Sequence, residues 1–300
     1  VIGFEAVSVV FGGRVRALDQ VSLAVGKGEI VGVVGESGSG KTTLCRVLMG
    51  LEAATSGRVL VDGEAVGALL ARDRLGFRRR AQMVLQDAAA SLSPRMRVRD
   101  LVDEPRRIHR LPADGRVARL MGRLGLPESV LDKYPHQISG GQGRRVAILR
   151  ALVLQPDILV ADEPTAGLDV SVQGELLNVM AELHRDLGLT YLIVSHNLNV
   201  VRQVTGRTVV MYLGEIVEDA ATAALFAAPR HPYSAALLST NPAVDPARRR
   251  KRIILEGEIP SPVNPPSGCR FHTRCPFVQA RCREERPALV AGVRCHFPLG

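Results

Sequence analysis

The octapeptide Gly35-Glu-Ser-Gly-Ser-Gly-Lys-Thr42 narrows most what this 300-residue chain can fold into. Gly35 and Gly40 flank four residues and are followed by Lys41 and Thr42, the spacing of a phosphate-binding loop. The run Ile30-Val-Gly-Val-Val34 before it suits a short buried strand, and Leu44, Val47, Leu48 and Leu51 after it recur on one face of a helix. Strand, glycine loop and helix therefore follow in the order that phosphate binding needs. Gly35, Gly38 and Gly40, with Ser37, Ser39 and Thr43 beside them, let the backbone turn its N–H groups inward, and the helix N-terminus adds positive charge. In this pattern Lys41 reaches the β- and γ-phosphates and Thr42 places its hydroxyl on Mg²⁺. The spacing predicts a nucleoside triphosphate site.

The length suggests about two domains. No apolar run approaches the ~18 residues that span a bilayer, and no signal peptide is recognisable. The first residue is Val1 rather than Met, so the chain is expected to be a processed, trimmed or excised piece, or half of a longer fused chain. The net charge of +9 is uneven. Residues 72–110 carry 11 Lys or Arg against 5 Asp or Glu, and residues 227–300 carry 12 against 5, so the rest is net acidic. With aromatics at 4% and no Trp, the base-stacking groups of a nucleic-acid binder are scarce. A face near lipid headgroups or acidic partner loops accounts for the charge better.

In chain order, residues 1–34 pattern as short strands with a turn at Gly12-Gly13, and 57–63 as a strand ending in an Asp-Gly turn. Phe11 suits either stacking on a base or core packing. Gln82–Gln86 reads as a short strand with Gln86 at its end, and 87–133 as helical, basic and broken by prolines. Ser139 caps a helix carrying Val146, Leu149 and Val153; with Gly140, Gly141 and Gln142 it forms a second anion-binding helix start that lacks a lysine. Residues 157–163 form a buried strand delivering Asp162 and Glu163, one acid to hold a metal and one to activate water. Tyr191–Val194 repeats the design and ends at Ser195-His196. Functional groups at the carboxyl ends of several buried strands imply an open parallel α/β sheet.

With these pieces in place the chain resembles an ATP-binding cassette (ABC) ATPase subunit over nearly its whole length. Ile138-Ser-Gly-Gly-Gln142 is similar to that family's LSGGQ signature. The resemblance implies an α/β nucleotide-binding domain over 1–226: a phosphate-loop core with a mainly parallel sheet, an antiparallel β-subdomain, and a helical subdomain at about 87–155. It implies that Phe11 stacks on adenine, Gln86 touches Mg²⁺ and senses a transmembrane partner, and Asp162 holds the metal. Glu163 would be the general base, Asp169 would face the opposite subunit, and His196 would contact the γ-phosphate. Ser139, Gly140, Gly141 and Gln142 would complete the cage of a second nucleotide-binding domain, so that ATP is sandwiched between two. Gln86–Arg95, His231-Pro-Tyr233 and Pro260–Cys269 resemble the oligopeptide, dipeptide and nickel importer branch. That branch implies peptide import powered at the cytoplasmic face of the membrane, with two permease subunits and an extracytoplasmic binding protein. Nickel or metal-chelate import is the alternative within the family; a soluble ATPase on nucleic acid or the ribosome is the alternative outside it. No nucleic-acid partner is expected, and cargo and the identity of the second domain stay open. Ile138, Gly143, Ala88 and Asn197 depart from the branch pattern.

Residues 227–300 form a Pro- and Cys-rich extension in which Cys269, Cys275, Cys282 and Cys295 cluster, while Cys45 reads as a small buried hydrophobe. The gaps are not those of a zinc ribbon. Disulfides would require an oxidising compartment, and packed thiols leave the clustering unexplained. Four thiolates around a [4Fe–4S] cluster, or Zn²⁺ in its place, would staple a segment too small to hold a core. Arg270, Arg274, Arg281, Arg283 and Arg294 lie among these cysteines and are expected to favour thiolates.

Overall fold

A computed structural model describes residues 1–240 and 252–300. The chain divides into two compact units: Val1–Val25 with Ile30–Ala65 and Ser195–Gly300, and Gly26–Glu29 with Val66–Val194.

The first unit opens with β1 (Ile2–Phe11) and β2 (Val15–Val25), joined at the expected Gly12-Gly13 turn. Alternation buries Ile2, Phe4, Val7 and Val9 on one face of β1. Next come β3 (Ile30–Val34), α1 (Lys41–Leu48), β4 (Ser56–Val61) and β5 (Glu64–Ala65). β1 pairs antiparallel with β2, Ile2 opposite Val25, and with β4, Ile2 opposite Val61, giving a four-stranded sheet in the order β2-β1-β4-β5. α1 stops at Gly50, whose φ of 59° suits glycine after a helix end. Leu51 therefore falls outside the predicted helical face and is 55% exposed.

The second unit holds α2 (Val66–Arg72), α3 (Arg74–Arg80), β6 (Ala81–Val84), α4 (Val98–Ile108), α5 (Arg116–Arg123), α6 (Gly140–Leu152), β7 (Ile158–Asp162), α7 (Val170–Leu187) and β8 (Thr190–Val194). β6, β7 and β8 run parallel, with Ala81 beside Ile158 and Ile158 beside Thr190. Every residue of β7 and β8 is buried, as unbroken apolar runs predict for a covered parallel sheet. Pro105, expected to break helix, sits within α4 instead. It falls in the second half, where the missing N–H deprives a single carbonyl one turn back.

The chain then returns to the first unit with α8 (Leu198–Val204), β9 (Arg207–Tyr212), β10 (Glu215–Ala221), α9 (Thr222–Ala227), α10 (Pro232–Ser239) and α11 (Ala280–Glu284). β9 pairs parallel with β3, Val31 beside Arg207, and antiparallel with β10. Val34, Val201, Val210, Tyr212, Tyr233 and Phe271 share one apolar cluster, so the extension shares the core of its unit. Tyr212, Tyr233 and Phe271 meet with centroids 4.7–5.4 Å apart in tilted and edge-on pairs.

Helix α8 lies so close to β3 that a Cβ on Gly32 would stand 2.5 Å from Val201 Cγ1. Gly32→Ala is expected to destabilise the fold by about 1–3 kcal/mol, the usual cost of overpacking. Urea denaturation checks this, and an unchanged midpoint would contradict it.

Candidate functional site

The glycine loop between β3 and α1 owes its shape to close backbone approach. A Cβ on Gly35 would fall 2.2 Å from the Met211 carbonyl oxygen, and one on Gly40 would fall 2.4 Å from that of Ala17. Only glycine fits either place. Gly40 starts α1 with φ 103° and no side chain caps the helix, so the first turn's N–H groups are not taken up by a cap. The Lys41 ammonium donates to the Gly35 carbonyl (2.8 Å), the Glu36 carbonyl (2.9 Å) and Ser39 Oγ (3.3 Å). A buried cation anchored on the loop's own oxygens at the start of a helix with no side-chain cap is a site for an anionic ligand. Ser37, Gly38, Thr42 and Thr43 complete the loop and its helix start.

In the same unit, Phe11 ends β1 and is 37% exposed, so it does not belong to the buried core. His196 is exposed just after Ser195. Asn197 follows as N-cap of α8, its side chain accepting from Asn199 N–H at 3.0 Å. Asn caps as well as Asp does, so this departure from the family pattern keeps the helix start.

In the second unit, Asp162 and Glu163 lie buried at the end of β7. Glu163 adopts a φ of 52°, rare for a residue with a side chain, and its N–H donates to the Val194 carbonyl at 2.9 Å. Gln86 is exposed two residues beyond β6. Ser139 caps α6 through a reciprocal pair: it accepts from Gln142 N–H while Gln142 Oε1 accepts from Ser139 N–H, both at 3.2 Å. Gly140 and Gly141 occupy the first turn, and Asp169 is exposed at the N-cap of α7. Gly143 has a packing reason: a Cβ there would approach Ala89 Cβ to 3.2 Å. Sequence reasoning missed Arg144. Buried on α6, it donates to the Ala166 carbonyl and to the Gln86 carbonyl at 3.3 Å, tying the segment after Glu163 to the Gln86 turn. Its only sequence signal was a charge at an inward position of a helix. Between α4 and α5, Val102, Met121, Leu126 and Leu131 line a groove of about 540 Å³ rimmed by Arg99, Asp103 and Arg106.

The extension brings Cys269, Cys275, Cys282 and Cys295 around one cavity of about 10 Å³, together with His231, His272 and His296. Burial pushes the Cys269 thiol up to about 12, and raises Cys275 and Cys295 as well, with the neighbouring thiols adding to the effect. Four of the five expected thiolate-favouring arginines are engaged elsewhere. Arg274 pairs with Glu36 at 2.7 Å, Arg281 with Glu285 at 2.8 Å, Arg270 with Asp19 and Glu215, and Arg294 donates to the Ile216 and Pro287 carbonyls. Desolvation therefore outweighs charge, and the expectation of lowered thiol pKa values is corrected. The four-thiol donor set is one that soft metals prefer. Among the described residues, no group of three or more His, Cys, Asp or Glu side chains is arranged to hold a metal ion.

Residues 18–166 match the ABC transporter family, and residues 217–282 match the oligopeptide/dipeptide transporter C-terminal region. The chain is 46% identical over 291 residues to the "Probable peptide ABC transporter ATP-binding protein y4tS" of Sinorhizobium fredii, covering 94% of this chain and 82% of that protein. It is 43% identical over 292 residues to the oligopeptide transport ATP-binding protein AppF of Bacillus subtilis, covering 95% and 89%. Among solved structures it is similar to the ATP-binding cassette MJ0796, a dimer in a post-hydrolysis state bound to ADP and Pi. The TM-score is 0.67 and the identity 28%, covering 74% of this chain and 99% of that one. It is also similar to cbiO1 of Clostridium perfringens, part of the ABC transporter complex cbiONQ. There the TM-score is 0.68 and the identity 27%, covering 76% and 90%.

His231 has a consequence that can be measured. It is fully buried at the start of α10, its Nδ1 accepts from Tyr233 N–H at 3.0 Å, and burial pushes its pKa down from 6.5 to about 3. The unfolded chain takes up a proton near 6.5 while the folded chain does so only near 3, so unfolding binds a proton between these values. Stability is therefore expected to fall as pH drops through this window. Urea midpoints should decline more steeply for the wild type than for His231→Asn; parallel slopes would contradict the assignment.

Proposed function

This chain belongs to the ABC transporter ATP-binding proteins with an oligopeptide/dipeptide transporter C-terminal region, and from that membership we propose that it hydrolyses ATP to drive peptide import. The observation that carries the reading is the coexistence on one chain of the phosphate loop at 35–42 and the importer-type region at 217–282. We divide it as a nucleotide-binding domain over 1–226 and an extension over 227–300.

Each residue's role follows from its chemistry. Phe11 stacks on adenine, while Lys41 and the loop's N–H groups other than those of Glu36 and Ser39, which Tyr233 and the Glu36 carbonyl take up, hold the β- and γ-phosphates. Thr42, Gln86 and Asp162 are the oxygen donors suited to Mg²⁺, which when bound supplies charge neutralisation to the phosphates. Glu163 accepts a proton from the attacking water, and His196 donates to the γ-phosphate as negative charge shifts onto it. Ser139, Gly140, Gly141 and Gln142 offer a capped helix start to the γ-phosphate of a second nucleotide-binding domain, with Asp169 facing that partner. The dimeric state of the MJ0796 cassette supports this pairing.

We place the protein peripherally at the cytoplasmic face of a membrane. Among the described residues no helix is long and apolar enough to cross one. The peptide-transport names of the relatives support permease subunits and an extracytoplasmic binding protein as its partners. Gln86 and the groove between α4 and α5 are the surfaces offered to the permeases. The names of the relatives favour peptide over nickel as cargo.

We also propose that Cys269, Cys275, Cys282 and Cys295 hold a [4Fe–4S] cluster. The support is a set of four thiols gathered on one cavity. The small size of that cavity favours a second reading, one Zn²⁺ ion. Anaerobically purified protein should show bound iron and visible absorbance; zinc alone would select the second reading, and a colourless, metal-free protein would end both.

Glu163→Gln is expected to keep ATP binding, lower hydrolysis by roughly 10²–10⁴-fold as loss of a general base does, and accumulate an ATP-bound dimer. Undiminished turnover would refute the base assignment.

A further inference from the structure

Of the residues between Gly35 and Gly40, Glu36 alone carries a side chain long enough to reach out of the loop, and it is held at three points. Its carboxylate accepts from both Arg274 guanidinium nitrogens, at 2.7 and 3.1 Å. Its N–H donates to the Tyr233 hydroxyl at 2.8 Å. Its carbonyl accepts from Lys41 Nζ at 2.9 Å. Two of these three holds come from the extension, from residues 197 and 238 positions away in the chain.

Both outside partners are themselves fixed. Tyr233 is fully buried between Tyr212 and Phe271. The Arg274 side chain is only 8% exposed, its guanidinium lies 6.0 Å from the Tyr212 ring centroid, and it approaches the Tyr212 hydroxyl to 3.5 Å. A short turn holds its backbone, where Arg274 N–H donates to the Phe271 carbonyl at 3.0 Å and His272 N–H donates to the Cys269 carbonyl at 2.9 Å. A bidentate Arg–carboxylate pair fixes orientation as well as distance, and a shielded one is screened little by salt.

We propose that Arg274 and Tyr233 are positioning residues for nucleotide binding: acting through Glu36, they hold the phosphate loop and Lys41 in the conformation that receives the phosphates. A loop with three glycines loses much conformational entropy when it closes on a ligand. Fixing its one long side chain meets part of that loss in advance, which raises affinity without touching the nucleotide. The extension is then part of the ATP site of its own chain. This inference rests on the ATPase reading.

The test measures equilibrium binding of a fluorescent ATP analogue, KM and kcat for ATP, and thermal midpoint. It uses the full chain as wild type, Arg274→Gln, Glu36→Gln, the double variant, Arg274→Lys and Tyr233→Phe. Arg274→Gln and Glu36→Gln should each weaken nucleotide binding about tenfold, the scale of one charge-assisted hydrogen bond. KM should rise while kcat at saturation stays nearly constant, and the double variant should be no weaker than the worse single one. Arg274→Lys should restore part of the affinity. Tyr233→Phe keeps the ring packing and removes only the acceptor, so it decides the matter if Arg274→Gln fails to fold; a severalfold weaker affinity is expected. Unchanged affinity in folded Arg274→Gln or in Tyr233→Phe, or additive losses in the double variant, would overturn the proposal. A wild type that binds no nucleotide would instead overturn the ATPase reading.

Discussion

The backbone crossing at Gly35 and Gly40 is the constraint on which the first unit depends. Two carbonyl oxygens, from Met211 at the end of β9 and Ala17 in β2, come within 2.4 Å of where side chains would begin. The loop can therefore pass only as bare backbone, and the Lys41 ammonium folds back onto its carbonyl oxygens. Ser39 seals the arrangement: its carbonyl accepts from Gly214 N–H at 3.0 Å, and Asp19 N–H donates to the Gly214 carbonyl at 2.9 Å. The β9–β10 turn thus holds the phosphate loop as firmly as β3 does.

The extension is packed on the same principle of sharing. It is too short and too rich in proline to bury a core of its own. It contributes Tyr233 of α10 and Phe271 to a cluster shared with β9, and sends Arg270 onto the carboxylates of Asp19 and Glu215. A buried guanidinium between two acids is tolerable because its charge is matched at short range. Two anchors of the extension thus land close to the phosphate loop in the chain's contacts: Asp19 through Gly214, and Glu36 directly.

Charge and burial compete at the cysteines, and burial prevails. Five arginines lie within a few positions of the four thiols in sequence, which reads as a thiolate-stabilising field. Arg270, Arg274, Arg281 and Arg294 instead find a carboxylate or a carbonyl, and the thiols are left in an apolar cavity that favours their neutral form. Sequence neighbourhood is a poor guide to electrostatic neighbourhood wherever a segment has no regular periodicity to say which way its side chains face.

What the sequence by itself determined is everything written at short range. Examples are the glycine spacing of the loop, the unbroken apolar runs of β3, β7 and β8, the acids that end β7, and the Ser139 helix cap. In each case the chemistry lies within a handful of residues, and one backbone geometry satisfies it. What only the tertiary structure decided is written at long range. It showed Glu36 held by Tyr233 and Arg274, Gly143 packed close to Ala89, and Arg144 buried against the Gln86 turn. It also turned the extension's arginines away from its cysteines. These contacts join residues tens to hundreds of positions apart, and no local periodicity encodes them. They follow from which surfaces must be buried together once the strands have paired.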